Sequence, residues 1–321
     1  MKKFLAKLLI FFCIVGIPFL GLNAAYMNTN FYRSMNELYW LKNYPDQIEL
    51  LNLGNSHTMY GLRYSKFYDG VAHNFATSSQ PFFYDYSVLR HIEGSIAPGA
   101  VVIVPISYFD WFYNYPVLFT EDSASYNNRY YSFLPPQYIY DYDFEQHVKY
   151  GLLPILTAKE NLQYIFHDTA LPRLEAEDLT MNPDKQKIAQ IKANDWKNNV
   201  MDLGAGKQAL IEENTYYFQK ILDYCYQQGY TPVVISPPMT QELTAQFSQA
   251  FLEEFDAITQ EVLSAYPGIV YLDYSRDTAF STHPEYFRDS DHLNSIGGDL
   301  LTQRLLNDLV EQGILPREKL K

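Results

Sequence analysis

The 321-residue chain is 47% hydrophobic and 17% aromatic but only 19% charged. This composition excludes a disordered chain, because disordered chains lack the apolar side chains that a core needs. The net charge of −13 disfavours nucleic-acid binding, which requires clustered Lys and Arg. The two cysteines, Cys13 and Cys225, are too few for a disulfide framework or a cysteine-based metal site. The length suits one large α/β domain with insertions or two small domains.

The N-terminus has the pattern of a membrane-targeting segment. Three lysines among the first seven residues precede an uncharged apolar stretch, residues 8–22. With its flanks this stretch reaches about the 20 residues that a bilayer requires. A cleaved signal and an uncleaved anchor are both open, and we favour the anchor because cleavage after Ala24 would put bulky Leu22 at a position that needs a small residue. We therefore predict a single transmembrane helix within 1–25 in the cell membrane, with the remaining chain outside the cytoplasm.

Short apolar runs and amphipathic segments then alternate along the chain. Amphipathic periodicity predicts helices at 211–228 and around 251–262, and a last helix from about 294 to 313. The short, continuous apolar runs that lie between these segments are typical of strands that are buried on both faces of a parallel sheet. The alternation predicts an α/β protein with right-handed crossovers. The five predicted strands are 48–53, 71–75, 100–106, 231–236 and 269–272.

A long segment interrupts this alternation. Residues 107–210 show no strong strand pattern, and their first part is rich in Tyr, Phe and Trp. We interpret this segment as a large aromatic insertion in one domain that spans 26–321. Tyr108 and Trp111 directly follow the third predicted strand, so they either line an acceptor site or pack in the core of the insertion. The sequence leaves both alternatives open.

Two distant segments carry the side chains of a serine nucleophile and its base. Ser56 follows the first predicted strand, at the edge of the sheet where open α/β folds bind ligands. A serine hydroxyl becomes nucleophilic when a histidine takes its proton and a third group orients that histidine. Asp289 and His292 have the spacing to do this, although Asp291 competes as the orienting carboxylate. His57 points away from its neighbour Ser56 and is expected to have a structural role.

These two segments resemble conserved blocks of a known family. Leu53-Gly54-Asn55-Ser56 and Asp289-x-x-His292 are similar to the first and last blocks of the SGNH/GDSL hydrolases. The resemblance implies a flavodoxin-like three-layer α/β/α sandwich with Ser56, His292 and Asp289 as catalytic triad. The remaining histidines lack metal-ligand spacing, so we predict no metal and no cofactor.

The two middle blocks of the family match less well. Where the family has a glycine whose N–H binds the oxyanion, this chain has Ser79, and where it has an asparagine, this chain has Ser107. The resemblance implies an oxyanion hole made by Ser56, Ser79 and Ser107. Asn55 and Gln80 lie in the same blocks and, with Tyr108 and Trp111, are expected to line the substrate site.

The resemblance is to extracytoplasmic members that act on acyl groups, such as the teichoic-acid D-alanylation protein and polysaccharide O-acetylation proteins. It implies a membrane-anchored serine esterase or O-acyltransferase for acyl esters of extracellular or cell-wall glycans. Its partners would be the acyl ester or glycan polymer and a multi-spanning membrane acyltransferase. The negative charge disfavours teichoic acid as substrate. The alternative function is a non-catalytic scaffold of a cell-envelope modification complex.

Overall fold

A computed structural model describes residues 2–34, 41–113, 127–169, 185–196 and 206–321. The chain divides into two compact units, one made of 1–43 with 121–173 and the other of 44–120 with 174–321. The predicted division at residue 25 stays a prediction.

The helices and strands follow the predicted alternation in the larger unit. In chain order the helices are α1 (Lys2–Phe11), α2 (Ile17–Met27), α3 (Asn30–Ser34), α4 (Ser56–Gly61), α5 (Phe82–His91), α6 (Phe144–Gln146), α7 (Lys185–Trp196), α8 (Lys207–Gln228), α9 (Gln241–Thr244), α10 (Gln249–Ser264), α11 (Thr278–Ser281) and α12 (Ser295–Glu311). The strands are β1 (Ile48–Asn52), β2 (Ala72–Asn74), β3 (Ile96–Pro105), β4 (Thr231–Ser236) and β5 (Val270–Asp273). Shorter 3₁₀ segments are Tyr64–Lys66, Glu93–Ser95, Pro136–Tyr138, Pro154–Thr157, Lys159–Ile165, Pro284–Tyr286 and Arg317–Lys319, and π-helical segments are Phe12–Gly16 and His147–Leu152.

The five strands form one all-parallel sheet in the order β2-β1-β3-β4-β5, which confirms the predicted α/β class. Alternate strand residues on one face join a core cluster with the leucines of α12: Leu50, Val101, Ile103, Val233 and Ile235 pack with Leu301, Leu305, Leu306 and Leu309. The intervening residues Leu51, Val102, Val104 and Val234 are also fully buried. Both faces of the sheet are therefore covered, which explains why its strands appear in the sequence as continuous apolar runs.

The helices α4 and α12 approach each other closely behind the sheet edge. A Cβ atom on Gly298 would lie 2.5 Å from the carbonyl oxygen of Tyr60, so only glycine fits between the two backbones. The Thr302 hydroxyl donates to the Gly298 carbonyl at 2.7 Å and accepts the N–H of Arg63 at 2.8 Å. These contacts join the first helix after β1 to the last helix of the chain.

The N-terminal segment is helical and displays apolar side chains. Helix α1, the π-helical turn and α2 follow one another without a break. Several large apolar side chains are exposed along them: Phe4, Ile10, Phe11, Phe12, Ile14, Val15, Ile17, Leu20 and Leu22. Among the described residues, no single helix combines the length and the apolarity needed to cross a bilayer.

The smaller unit has its own apolar cluster. Tyr26, Phe31, Tyr32 and Ala158 are buried together, and the ring of Phe31 stacks on that of Tyr164 with centroids 3.9 Å apart.

The predicted insertion contains helical and irregular segments in the parts that the structure describes, with no strand among them. Its residues 114–126, 170–184 and 197–205 lie outside the described residues.

Candidate active site

The turn after β1 presents Ser56 at the carboxyl edge of the sheet. Gly54 has a φ of +110°, and a Cβ there would lie 2.2 Å from Pro105 Cγ, so the turn requires glycine. The Asn55 side chain then accepts the N–H of His57 at 3.0 Å and caps α4. Ser56 is the first residue of the helix and is partly exposed, so its hydroxyl can be reached from solvent.

The structure brings Ser56, His292 and Asp289 together although Ser56 and His292 are 236 positions apart in sequence. The Ser56 Oγ lies 2.8 Å from His292 Nε2. On the other side of the ring, His292 Nδ1 lies 2.9 Å from both carboxylate oxygens of Asp289. Asp289 Oδ1 also accepts the backbone N–H of His292 at 2.8 Å, which fixes the loop between the two residues. This arrangement lets His292 accept the Ser56 proton while Asp289 holds the ring in the required tautomer.

A second carboxylate lies beneath the imidazole of His292. Asp291 is buried, and its Oδ1 is 3.6 Å from His292 Nδ1, farther than Asp289. Burial lowers the pKa of His292, but the charge of Asp291 and the hydrogen bond of Asp289 outweigh burial and raise that pKa above its usual value. Asp291 itself is ion-paired with Lys192 of α7 at 3.0 Å. The Asp291 charge would therefore stabilise an imidazolium on His292 if that ring took the Ser56 proton.

His57 is part of a buried hydrogen-bond chain and is not the histidine that faces the Ser56 hydroxyl. Its Nε2 is 3.3 Å from Asp291 Oδ2, and its Nδ1 is 2.9 Å from Ser107 Oγ. Burial lowers the pKa of His57 below its usual value despite the neighbouring carboxylate, so the ring is neutral at pH 7. A neutral ring that donates from Nε2 to Asp291 must accept at Nδ1, and the Ser107 hydroxyl is then the donor.

Ser107 is also one of the three predicted oxyanion donors. The Ser107 hydroxyl proton points to His57, so Ser107 could donate to an oxyanion only after releasing that bond. By contrast, the backbone N–H groups of Ser56 and Ser79 donate to no other group among the residues that the structure describes. Ser79 has a φ of +53°, a left-handed conformation that favours glycine. Its loop is tied to the nucleophile turn, since the Thr77 N–H donates to the Gly54 carbonyl at 3.1 Å.

Two buried aspartates hold the strand ends that carry the site. Asp85 Oδ1 accepts the Gly54 N–H and the Gln80 side-chain amide, both at 2.7 Å. Burial raises the pKa of Asp85 to about 7. Asp110 accepts the Ser107 N–H at 2.6 Å and the Asn55 amide at 3.1 Å, and burial raises its pKa well above the usual range. Each aspartate thus connects the nucleophile turn to a neighbouring strand end.

The four residues predicted to line the substrate site are all buried. Asn55 and Gln80 take part in the hydrogen bonds just described. The Tyr108 hydroxyl is 3.0 Å from Ser275 Oγ, and its ring packs among phenylalanines of α10 and the loop before it. Trp111 is fully buried, and its indole N–H donates to Thr259 at 2.8 Å. These partners of Tyr108 and Trp111 lie outside the predicted insertion 107–210, and the expectation that the two side chains line an acceptor site stays a prediction.

His57, Asp291 and His292 are the group among the described residues whose ligand atoms could surround a metal ion, lying within 4.8 Å of one another. A divalent cation bound by His57 Nε2 and Asp291 would have to displace the Lys192 ammonium from Asp291 and break the hydrogen bond between His57 and Asp291. These side chains fit a metal poorly, because their nitrogens and oxygens already have hydrogen-bond partners. The prediction that the protein uses no metal stays a prediction.

Several residues of the site carry no sequence signal that singles them out. Asp85 lies in a helix that looks amphipathic and unremarkable, and Lys192 lies in a polar stretch far from both catalytic segments. Asp110 could have been noticed, because an aspartate in the turn after a strand can accept the N–H of the residue three positions before it. The contacts of these residues depend on which strands are adjacent.

Comparison with models of known protein families finds no match, and comparison with curated proteins finds no significant relative. The site is therefore interpreted from its own geometry.

Proposed function

We propose that this protein is a serine esterase or O-acyltransferase of the SGNH type that acts on acyl esters of extracellular glycans. The observation that carries the proposal is the continuous chain from Ser56 Oγ through His292 to Asp289, with hydrogen bonds of 2.8 and 2.9 Å. The strand order 2-1-3-4-5 supports the flavodoxin-like sandwich that the family resemblance implies.

The reaction has two halves. The Ser56 hydroxyl attacks the acyl carbonyl while its proton moves to His292 Nε2, and a tetrahedral oxyanion forms. Collapse of this intermediate breaks the bond to the leaving alcohol, which takes the proton from His292 and leaves an acyl-Ser56 ester. An acceptor hydroxyl then loses its proton to His292 and attacks this ester, and as the bond to Ser56 breaks His292 returns the proton to the Ser56 oxygen. Water as acceptor gives an esterase, and a sugar hydroxyl gives a transferase.

Two backbone donors support the oxyanion in this scheme. The N–H of Ser56 lies at the N-terminus of α4, and the N–H of Ser79 belongs to the loop tied to Gly54. Donors fixed in the backbone stabilise the developing charge without reorganising during the reaction. The Ser107 hydroxyl would be a third donor only in a state where His57 accepts no bond from it.

A membrane location is part of the proposal. The exposed apolar side chains of α1 and α2 would lie among lipid chains, and the three lysines before residue 8 would remain in the cytoplasm. The catalytic unit would then face extracytoplasmic glycans and a multi-spanning partner that delivers acyl groups.

Fluorophosphonate labelling of the full chain tests the nucleophile. We expect wild type to be labelled at Ser56, and Ser56→Ala and His292→Ala to lose labelling by about 10³-fold or more. Ser264→Ala, which removes an exposed helix serine, is the matched control and should label as wild type does. A wild-type chain that folds but reacts no faster than Ser56→Ala would rule out the enzyme and favour the scaffold function.

The scaffold function is favoured by one observation, the engagement of the Ser107 hydroxyl by His57. A chain with too few oxyanion donors could keep the fold and bind a glycan without cleaving its esters. Mass spectrometry of Ser56 after incubation with p-nitrophenyl acetate separates the two functions, because only an enzyme forms an acetyl ester on that residue.

A further inference from the structure

The loop before α12 places one arginine beside His292. This loop folds back on itself: the backbone N–H of Arg288 donates to the His292 carbonyl, and that of Asn294 donates to the Tyr286 carbonyl, both at 2.9 Å. The two hydrogen bonds set Arg288 opposite His292 in a narrow turn. The Arg288 side chain is partly exposed, so a ligand that approaches the candidate site can reach it.

The ring of Tyr60 connects this arginine to the candidate triad. Tyr60 lies four residues after Ser56 in α4, so both side chains are on the same face of the helix. Its ring meets the His292 ring edge to face with centroids 5.5 Å apart, and the guanidinium carbon of Arg288 lies 4.5 Å from its centroid. These distances keep the guanidinium within the span of a disaccharide from the imidazole. The four side chains form a row, and all are partly exposed.

Arg288 differs from other cations of these segments because it has no acidic partner. Lys192 is paired with Asp291, and Arg63, which follows α4, is paired with Asp299, both at 3.0 Å. Within the described ranges of the chain, the Arg288 guanidinium forms no ion pair and donates no hydrogen bond. A guanidinium presents its N–H groups as a fork that matches a carboxylate or a phosphate. These unused donors therefore suit an anionic ligand.

The place of Arg288 beside the proposed base indicates which half of a substrate would carry the anionic group. In the proposed reaction His292 gives its proton to the leaving alcohol and takes one from the acceptor alcohol, so both alcohols come within hydrogen-bond reach of its ring. The acyl oxygen instead faces the proposed backbone donors of Ser56 and Ser79. A cation beside His292 is thus placed for the alcohol half of the ester, which in a glycan ester is the sugar.

We propose that Arg288 selects glycan esters whose sugar carries a carboxylate or a phosphate near the acylated hydroxyl. This inference rests on the proposed function, because it names the substrate class of the same site. The guanidinium binds the anionic group of the sugar, and the Tyr60 ring supports the guanidinium. Arg288 takes no proton in the reaction and determines specificity alone.

Acetate release from three matched esters tests this preference. Methyl glucuronoside presents a carboxylate, methyl glucuronamide is its neutral isostere, and methyl glucoside 6-phosphate presents a phosphate; each is acetylated once on a ring hydroxyl. We expect the kcat/KM of wild type for at least one anionic ester to exceed that for the amide about tenfold or more. The better anionic ester tells carboxylate from phosphate. Equal values for all three esters would overturn the proposal.

Substitutions of Arg288 assign the preference to its side chain. Arg288→Gln should bring the ratio of anionic to neutral kcat/KM to about one, and Arg288→Lys, which keeps the charge without the fork, should retain part of the preference. Arg317→Gln, at an exposed arginine of the last 3₁₀ segment, is the matched control and should keep the wild-type ratio. A purely structural role of Arg288 would lower both rates together, so an unchanged ratio in Arg288→Gln would contradict the proposal.

Binding to Ser56→Ala separates this proposal from the test of catalysis. Calorimetric titration of that variant measures the affinity for the same three esters without turnover. We expect the better anionic ester to bind about tenfold more tightly than the amide, and this difference to disappear in the double variant Ser56→Ala/Arg288→Gln. Preferential binding without acetate release from wild type would contradict the enzyme and support the anionic site. Acetate release with equal binding of the three esters would support the enzyme and overturn the role of Arg288.

Discussion

Ser79 adopts a backbone conformation that is typical of glycine. The residue holds a left-handed φ of +53° at the position where the family resemblance expects glycine. Because the proposed donor is its N–H, the side chain matters only through the backbone conformation that it permits.

We expect Ser79→Gly to retain the rate of p-nitrophenyl acetate hydrolysis, whereas Ser79→Val lowers it about 10²-fold by moving the N–H out of position. Lys159→Val is a control for strain, because Lys159 also has a positive φ, of 45°, but lies in the smaller unit. Equal rates for Ser79→Val and wild type would exclude the Ser79 N–H from the oxyanion hole.

The charge of Asp291 is expected to affect the pH dependence of the proposed base, His292. His292 must be neutral to accept the Ser56 proton, so activity rises with pH through the His292 pKa. Burial lowers this pKa, while Asp291 and Asp289 raise it and prevail. Asp291→Asn removes one of these charges and should move the acid limb of the kcat/KM profile to lower pH. Asp256→Asn, which removes a carboxylate paired with Arg276, should leave the limb in place. An unshifted limb in Asp291→Asn would contradict the role of its charge.

Asp85 should make stability fall between pH 4 and 7. Burial raises its pKa from 3.8 to about 7 in the folded chain. The folded state therefore binds more protons than the unfolded state in this window, so the free energy of unfolding decreases as pH rises. Asp85→Asn keeps an Oδ1 that can accept from Gly54 and Gln80 but carries no charge.

In urea unfolding, we expect Asp85→Asn to be more stable than wild type at pH 8 by on the order of 1–4 kcal/mol, and equal to it near pH 4. Asp256→Asn again serves as control. A constant difference between Asp85→Asn and wild type across the range would show that Asp85 ionises normally.

At the scale of elements, the Asn294 side chain that caps α12 contributes both to the stability of the fold and to the geometry of the candidate site. Asn294 Oδ1 accepts the N–H groups of Ile296 and Gly297 at 3.0 Å, and its amide donates to the Glu285 carbonyl at 2.7 Å. The same side chain thus starts the helix and closes the loop that carries Asp289 and His292.

A pair of cap deletions separates these two effects. Asn294→Ala and Ser248→Ala, which uncaps α10, should each cost about 1–2 kcal/mol of unfolding free energy. Only Asn294→Ala should also lower the rate of p-nitrophenyl acetate hydrolysis, because its loop positions the base. Equal activity in both variants would mean that the loop is held by other contacts.

The sequence predicts the elements better than it predicts their contacts. The strand runs and the helices α8, α10 and α12 follow from local periodicity, and the structure confirms each within a few residues. Ser56 and the Asp289/His292 pair were recognisable because each lies in a short motif. The partners of His57 were not, since Ser107 comes next to it only when β1 and β3 pair, and Asp291 only when the loop before α12 lies against α4.

At the scale of the whole molecule, the exposed apolar side chains of the N-terminal helices allow a test of the proposed membrane location. Ile10, Ile14 and Ile17 are between 57% and 66% exposed and recur at helical spacing. We expect the full chain to enter the detergent phase in Triton X-114 partitioning. Changing all three isoleucines to Asn should move it to the aqueous phase.

Exposed apolar residues elsewhere provide the control for this partitioning. Phe166 and Ile296 are also exposed, and changing both to Asn should leave the chain in the detergent phase. If wild type partitions into water, the membrane location is wrong and the acyl-transfer site must act in solution.

Because α4 and α12 approach each other closely, a residue outside the candidate site can affect the distance between Ser56 and His292. A Cβ atom on Gly298 would lie 2.5 Å from the Tyr60 carbonyl oxygen, so the helix that begins with Ser56 and the helix that follows His292 leave no room for a side chain between them. One methyl group there would wedge the helices apart and lengthen the path of the proton from Ser56 to His292 without altering either reacting side chain. Evolution could thus retune or silence such a centre by changing a residue that never meets a substrate.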